Sequence, residues 1–247
     1  MSTLQGRTAL VTGASRGIGR AIARRLAAAG AIVAVHYRQG RLQAEETVSL
    51  IEQRGGKAFA VSADLMSIRD IDTLFEMIKT RFGTLDILVN NAGVSHAAYI
   101  EDTSPEDFDR IIATNLRGPY FVTKQALTMM KSGGRIINIS SNSTRVAYPE
   151  VSVYGLTKAA IQNLTLSLAH QLGKRAITVN TLVPGVIDTD MNSDWLSEAA
   201  KVYVIGQTSL GRLGSVEEVA NVAAFLASDE SSWVTGQSIE ASGGCRL

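Results

Sequence analysis

Seven short apolar segments recur along this chain, each followed by a turn and a stretch with helical spacing, and this alternation limits the folds open to it. The segments are Thr8–Val11, Ile32–Val35, Ala58–Val61, Ile87–Val89, Ile136–Ile139, Ile177–Leu182 and Gln237–Glu240. Their apolar residues run on rather than alternate, the pattern of strands buried on both faces in a parallel sheet. Apolar residues spaced by three and four predict helices over Ile18–Ala29, Ala44–Gln53, Ile71–Phe82, Pro105–Lys131, Ser152–Gly173 and Val216–Ala227. No Pro-rich or Ser-rich linker, low-complexity tract or residue-level repeat divides the 247 residues. The expectation is one α/β domain over residues 1–247, doubly wound, with helices on both faces of a parallel sheet. A ligand of such a fold lies beyond the C-terminal ends of the strands, where the strand order reverses.

Charge narrows the function classes. The chain carries 24 Lys+Arg and 23 Asp+Glu, a net +1 that argues against a nucleic-acid binder or a membrane-surface protein. No stretch approaches the roughly 18 apolar residues of a membrane span, and Met1–Leu10 lacks the pattern of a signal peptide. The lone Cys245 offers no internal disulfide. A cytoplasmic protein is expected, with no metal site, because no His/Cys/Asp/Glu cluster has ligand spacing. The charge is unevenly laid out, however. Seven arginines (7, 16, 20, 24, 25, 38 and 41) precede the first acid, Glu45. Such an asymmetry can mark an anionic partner. Single-stranded nucleic acid would need interleaved aromatics, and Tyr37 is the only aromatic ring besides His36 before Glu45.

The first strand runs into Thr12-Gly-Ala-Ser-Arg-Gly-Ile-Gly19 and then a helix. Glycines 13, 17 and 19 permit a tight turn and let backbone N–H groups approach a pyrophosphate at the helix N-terminus. The second strand ends in Val35-His36-Tyr37-Arg38, where an NAD site usually places an acid for the ribose hydroxyls. Arg38 stands there instead, and Arg16 lies within the glycine turn. Two guanidiniums and no carboxylate suit a 2′-phosphate, so NADP(H) is expected ahead of NAD(H). Arg20, Arg24 and Arg25 read as a solvated helix face, and Arg7 and Arg41 have no role in this reading.

Tyr154-Gly-Leu-Thr-Lys158 places a phenol and an ammonium four residues apart, on one side of a predicted helix. A nearby cation favours phenolate and would lower the tyrosine pKa, fitting it for proton exchange with an alkoxide.

These motifs, in order, resemble the short-chain dehydrogenase/reductase family, single-domain branch, over essentially the whole chain. The resemblance implies a Rossmann-type, seven-stranded parallel sheet of order 3-2-1-4-5-6-7. Thr12–Gly19 looks like that family's cofactor turn, implying contacts from Gly13, Ser15, Arg16, Gly17, Ile18 and Gly19. Asp64 and Leu65 resemble its adenine pair, and Asn90-Asn91-Ala92-Gly93 its structural and cofactor motif. Pro184 and Gly185, with Ile187 and Thr189, resemble the segment that grips the nicotinamide carboxamide. By the same resemblance Tyr154 would be the acid/base. Lys158 would lower its pKa and hold the nicotinamide ribose. Ser141 would bond the substrate oxygen, and Asn115 would support a water relay to Lys158. Ser140 is the rival to Ser141, since strand alternation points only one of them at the pocket.

The function this implies is NADP(H)-dependent interconversion of a ketone or aldehyde and an alcohol. His96, Asn142, Tyr148 and Trp195 are the proposed substrate-side residues. His96 and Trp195 are as well explained by a surface loop and by helix packing. His36 and His170 read as structural or exposed, and Cys245 as an incidental thiol. The stretch 188–212 is the expected lid. Arg212-Leu-Gly214, Ala224–Glu230 and Val234–Gln237 resemble the 3-oxoacyl-[acyl-carrier-protein] reductases. Those enzymes dock an acidic carrier on basic residues; Arg175 keeps one such position, but Ser132 stands at the other. A small or medium ketone is therefore favoured over a carrier-bound 3-oxoacyl substrate. A cofactor-binding sensor without catalysis is the alternative from another class. The resemblance further implies a homotetramer with one interface built on Pro105–Lys131 and Ser152–Gly173 and another on the C-terminal strand and tail.

Overall fold

A computed structural model describes residues 3–246. The chain runs β1 (Thr8–Val11), α1 (Gly17–Ala28), β2 (Ile32–Tyr37), α2 (Arg41–Glu52), β3 (Lys57–Ser62), α3 (Ile68–Phe82) and β4 (Ile87–Asn90). It continues through α4 (Pro105–Ile112), α5 (Gly118–Met129), β5 (Arg135–Ile139), α6 (Ser152–Leu172), β6 (Thr178–Pro184), α7 (Glu198–Gly206), α8 (Val216–Ala227) and β7 (Ser238–Ala241). The strands form one seven-stranded parallel sheet in the order β3-β2-β1-β4-β5-β6-β7.

Strand alternation divides the core in two. Val11, Val33, Val35 and Val89 point to the face covered by α1 and α8, where Ile22, Leu26 and Ala223 are buried. Leu10, Ala34, Leu88 and Ile136 point to the opposite face, against Leu74 and Ile78 of α3 and Val122 and Ala126 of α5. Burying each Leu or Ile side chain contributes about 1.5–3 kcal/mol, so both helical layers are held mainly by apolar contact with a shared sheet.

Two helical stretches depart from the expectation. The predicted helix Pro105–Lys131 is three pieces: α4, a π-helical turn over Ala113–Arg117, and α5. The cause is local, since Pro119 has no N–H to offer the carbonyl four residues back, that of Asn115. Within the expected lid, residues 198–206 form α7, none of whose residues is buried.

Between β1 and β2 lies one buried group that no apolar argument explains. The His36 ring sits under the glycine turn, its Nδ1 accepting from the Gly13 N–H at 3.1 Å. That leaves the proton on Nε2, 3.1 Å from the Ala63 carbonyl. Burial pulls the imidazole down to about 4, against the bond to Ala63 and the charge of Asp64. Above about pH 6.5 the ring is neutral folded or unfolded. Below that, the unfolded chain takes up a proton that the fold refuses until about pH 4. This group alone should therefore cost roughly 3 kcal/mol of stability across that window. Urea unfolding at about pH 7 and about pH 4.5 should show this loss, with a shallower slope in His36→Asn; identical slopes would contradict it.

Candidate active site

The turns after β1 and β4 separate at the reversal of strand order, and a small set of hydrogen bonds fixes the gap between them. The Thr12 hydroxyl accepts from the N–H groups of Asn91 (2.9 Å) and Ala92 (3.0 Å) and lies 3.3 Å from the Val89 carbonyl. The Asn91 amide returns two bonds, to the carbonyls of Thr12 (2.8 Å) and Gly13 (3.1 Å). At this approach Gly13, with φ 63°, can carry no side chain, since a Cβ would lie 2.9 Å from the Ala92 Cα. Gly17, at φ 53°, opens α1 in the left-handed region. Arg16, the N-cap, makes no side-chain bond to the helix, and the first turn holds no acid. The leading N–H groups of α1 therefore face the gap without an internal partner, an anion cradle by construction.

The seven early arginines sort by what they touch. Arg7 pairs with Asp229, Arg41 with Glu45, and Arg25 with the Asn221 side chain on α8. Arg20 bonds the Ser15 carbonyl at 3.0 Å and Glu46 at 2.8 Å, bracing the glycine turn against α2. Arg24 is half-buried on α1. These placements replace the solvated helix face expected for Arg20, Arg24 and Arg25. At the end of β2, Arg38 is exposed and pairs with no acid among the described residues. Arg16 is 69% exposed and reaches Asp190 only at 3.5 Å. The two cations left available are thus the two assigned to the adenosine end.

On the other side of the gap, β5 delivers Ser140 and Ser141 to opposite environments. Ser140 is buried and donates to the Lys158 carbonyl at 3.1 Å. Ser141 is half-buried, its hydroxyl accepting from the Ser143 N–H at 3.2 Å, and it tempers the rise that burial gives the Tyr154 phenol. Tyr154 and Lys158 lie one turn apart on α6, the ammonium 5.4 Å from the ring centre. The expected fall in the phenol's pKa is not what this geometry gives. Burial raises the phenol, with the Ser141 bond opposing, and burial lowers Lys158 to about 8. The reason is that the Lys158 ammonium is buried and donates to the Ile139 carbonyl at 2.8 Å, while the half-buried phenol is partly desolvated.

Asn115 enters from the π-helical turn, buried, and clasps Val94 through both backbone groups at 2.8 Å. Pro119, four residues on, has no N–H to give the Asn115 carbonyl in α-helical fashion. Gly93 fits between these groups: a Cβ there would lie 3.4 Å from the Asn115 Oδ1 and 3.5 Å from the Lys158 ammonium.

The remaining predicted residues ring this centre. Asp64 accepts from Met66 N at 3.0 Å, and Leu65 is buried. Gly185, after Pro184, packs so closely past the end of β7 that a Cβ would lie 2.8 Å from the Ser242 Cα. Ile187 is buried, and Thr189 faces Gly17 across the gap. Asn142 is buried and donates to the Tyr148 hydroxyl at 3.3 Å. His96 is exposed, 3.5 Å from Asp107, and Trp195 is exposed on the lid, bonding Asn192. Arg175 spends its guanidinium on the carbonyls of Leu127 and Met130, at the far end of α6 from Tyr154. That helix has 21 residues, so about 30 Å separates the two. His36, expected to be structural or exposed, is structural, while the bracing of the turn by Thr12 was not read from the sequence. Nor was the burial of Cys245, 3.7 Å from the Asn142 amide. A polar residue at a strand end was the available signal for Thr12. Among the described residues no group of His, Cys, Asp or Glu is placed to hold a metal, and no helix is long and apolar enough to cross a membrane.

Comparison with known proteins adds three relatives and a family. Residues 13–246 match the family model described as enoyl-(acyl carrier protein) reductase. An uncharacterized oxidoreductase of Methylorubrum extorquens is 43% identical, over all of both chains. A 3-oxoacyl-[acyl-carrier-protein] reductase of Staphylococcus aureus is 40% identical, covering 96% of this chain and 97% of its own. The solved structure of the angucycline C-6 ketoreductase LanV with bound NADP superposes at a TM-score of 0.95, with 46% identity, covering 100% of this chain and 98% of its own.

Proposed function

Because the chain belongs to the short-chain dehydrogenase/reductase family, we propose that it is an NADP(H)-dependent ketoreductase with Tyr154 as its acid/base. The observation that carries this reading is the meeting of Ser141, Tyr154, Lys158 and Asn115 beside the uncapped N-terminus of α1. The cradle fits a dinucleotide: its glycines admit close approach, and free N–H groups and an acid-free first turn suit a diphosphate. Arg16 and Arg38 would hold the 2′-phosphate, Asp64 and Leu65 the adenine, and Pro184, Gly185, Ile187 and Thr189 the carboxamide. The NADP-bound ketoreductase relative supports the same choice of cofactor.

When bound, the nicotinamide supplies the hydride. Ser141 positions the carbonyl oxygen and Tyr154 gives it a proton. A phenol raised by burial is protonated at neutral pH and has a proton to give to a forming alkoxide. Lys158, at about 8, lies near enough to neutrality to return a proton to the phenolate, with the Asn115 carbonyl holding the water between. The substrate favoured is a small or medium ketone. The Staphylococcus relative favours a carrier-bound 3-oxoacyl substrate as the second reading, although Arg175 is spent inside the fold and Ser132 bonds its carbonyl at 2.8 Å.

An NADPH-consumption screen of ketones, aldehydes and 3-oxoacyl thioesters tests both. Tyr154→Phe should cut turnover by about a hundred-fold or more while retaining NADPH binding. Full turnover in that variant would remove Tyr154 from the mechanism, and wild-type binding without turnover on any member would favour a sensor. A homotetramer is proposed with this reading, since Phe108, Tyr120, Leu156 and Leu166 leave apolar surface on α4, α5 and α6. Light scattering should give four times the chain mass; a monomer would overturn it.

A further inference from the structure

The C-terminal tail is stitched to both walls of the substrate side. Its residues Gly243–Arg246 run beside the segment that follows the lid helix α7. Leu210 N bonds the Gly243 carbonyl (3.0 Å), Ser209 N the Gly244 carbonyl (3.2 Å), and Arg246 N the Gln207 carbonyl (2.8 Å). On the other wall Arg145, three residues past Asn142, donates to the carbonyls of Cys245 (2.6 Å) and Arg246 (2.7 Å). Arg145 is itself neutralised by Glu240 at 2.9 Å.

This strap sets one guanidinium in a defined place. Arg246 lies 5.7 Å from the Tyr148 ring centre and 5.8 Å from that of Tyr203, and it donates to the Tyr203 hydroxyl at 2.7 Å. Tyr148 is tied through Asn142 to Ser141, so the cation stands two side chains from the reacting centre. Arg246 also holds a left-handed backbone, φ 48°, a conformation strained for a non-glycine residue. Among the described residues no carboxylate pairs with it, and its remaining donors are neither bonded nor buried. A guanidinium offers five donors in a planar fork, suited to an anionic oxygen.

We propose that Arg246 is a specificity-determining residue that selects ketones carrying an anionic oxygen, a carboxylate or a phenolate, remote from the reacting carbonyl. This rests on the ketoreductase reading and names its substrate class. Tyr148 and Tyr203 hold the guanidinium plane, the lid supplies one of the two rings, and the charged arm of the substrate docks on the free edge.

Wild type, Arg246→Met and Arg246→Lys are compared on 6-acetyl-2-naphthoate and its methyl ester, and on 6-acetyl-2-naphthol and its methyl ether. The acid-to-ester and naphthol-to-ether ratios of kcat/KM separate carboxylate from phenolate. At least one ratio should fall about ten-fold or more in Arg246→Met and recover in part in Arg246→Lys. Calorimetric binding of 6-hydroxy-2-naphthoate, which needs no turnover, should weaken to the same degree, with the thermal midpoint reporting folding. Both ratios and the binding constant moving less than two-fold would overturn the proposal. If no ketone is reduced even by wild type, the ketoreductase reading fails, and the naphthoate binding alone decides for or against Arg246.

Discussion

The Thr12 hydroxyl is the contact on which the upper end of the sheet depends. It accepts two backbone N–H groups from the turn after β4 while its own residue opens the turn after β1. Replacing it by an apolar group would strand buried donors, each at about 1–3 kcal/mol. Because the two turns are locked at this distance, Gly13 can carry no Cβ, and α1 must present its N-terminus to the gap. The same lock fixes Asn91 and Ala92, hence Gly93, which sits between Asn115 and Lys158. A single buried hydroxyl thus ties the anion cradle to the Asn115 and Lys158 side chains.

Electrostatics follow from that arrangement. His36 stays neutral below the turn, so the pull on an anion above it comes from the leading N–H groups of α1 and from the exposed arginines rather than from a buried charge. Tyr154 and Lys158 are both pushed toward their neutral forms by burial. The shifts make proton transfer from the Lys158 ammonium to a Tyr154 phenolate downhill, so a phenol that has given up its proton is readily reprotonated. The available positive charge is carried by Arg16 and Arg38, at the other end of the gap.

Much of this was legible in the chain. Continuous apolar strands fixed a parallel sheet, and their lengths differ from the observed ones by only a residue or two. The glycine turn and the Tyr154/Lys158 spacing were readable because backbone geometry, not packing, demands them. Alternation past the end of β5 turns Ser140 into the fold and leaves Ser141 half-buried, as the expected difference between the two serines requires. What was hidden depends on tertiary burial or on partners distant in sequence. The π-helical turn at Asn115 was signalled only by Pro119. The direction of the Tyr154 shift reversed because desolvation outweighs a cation that bonds elsewhere. Arg20 looked solvated until α2 packed against it, and Arg246 gained its place from a strap no local pattern predicts.

The cradle, with the exposed Arg38 and the loosely paired Arg16 beside it, should take a dinucleotide with a 2′-phosphate. Titration calorimetry of the wild-type protein with NADPH and with NADH, at low and at high salt, tests it most directly. The account predicts NADPH tighter by about ten-fold or more at low salt, with the difference shrinking as salt screens the exposed guanidiniums. Equal affinities, or NADH the tighter, would contradict it.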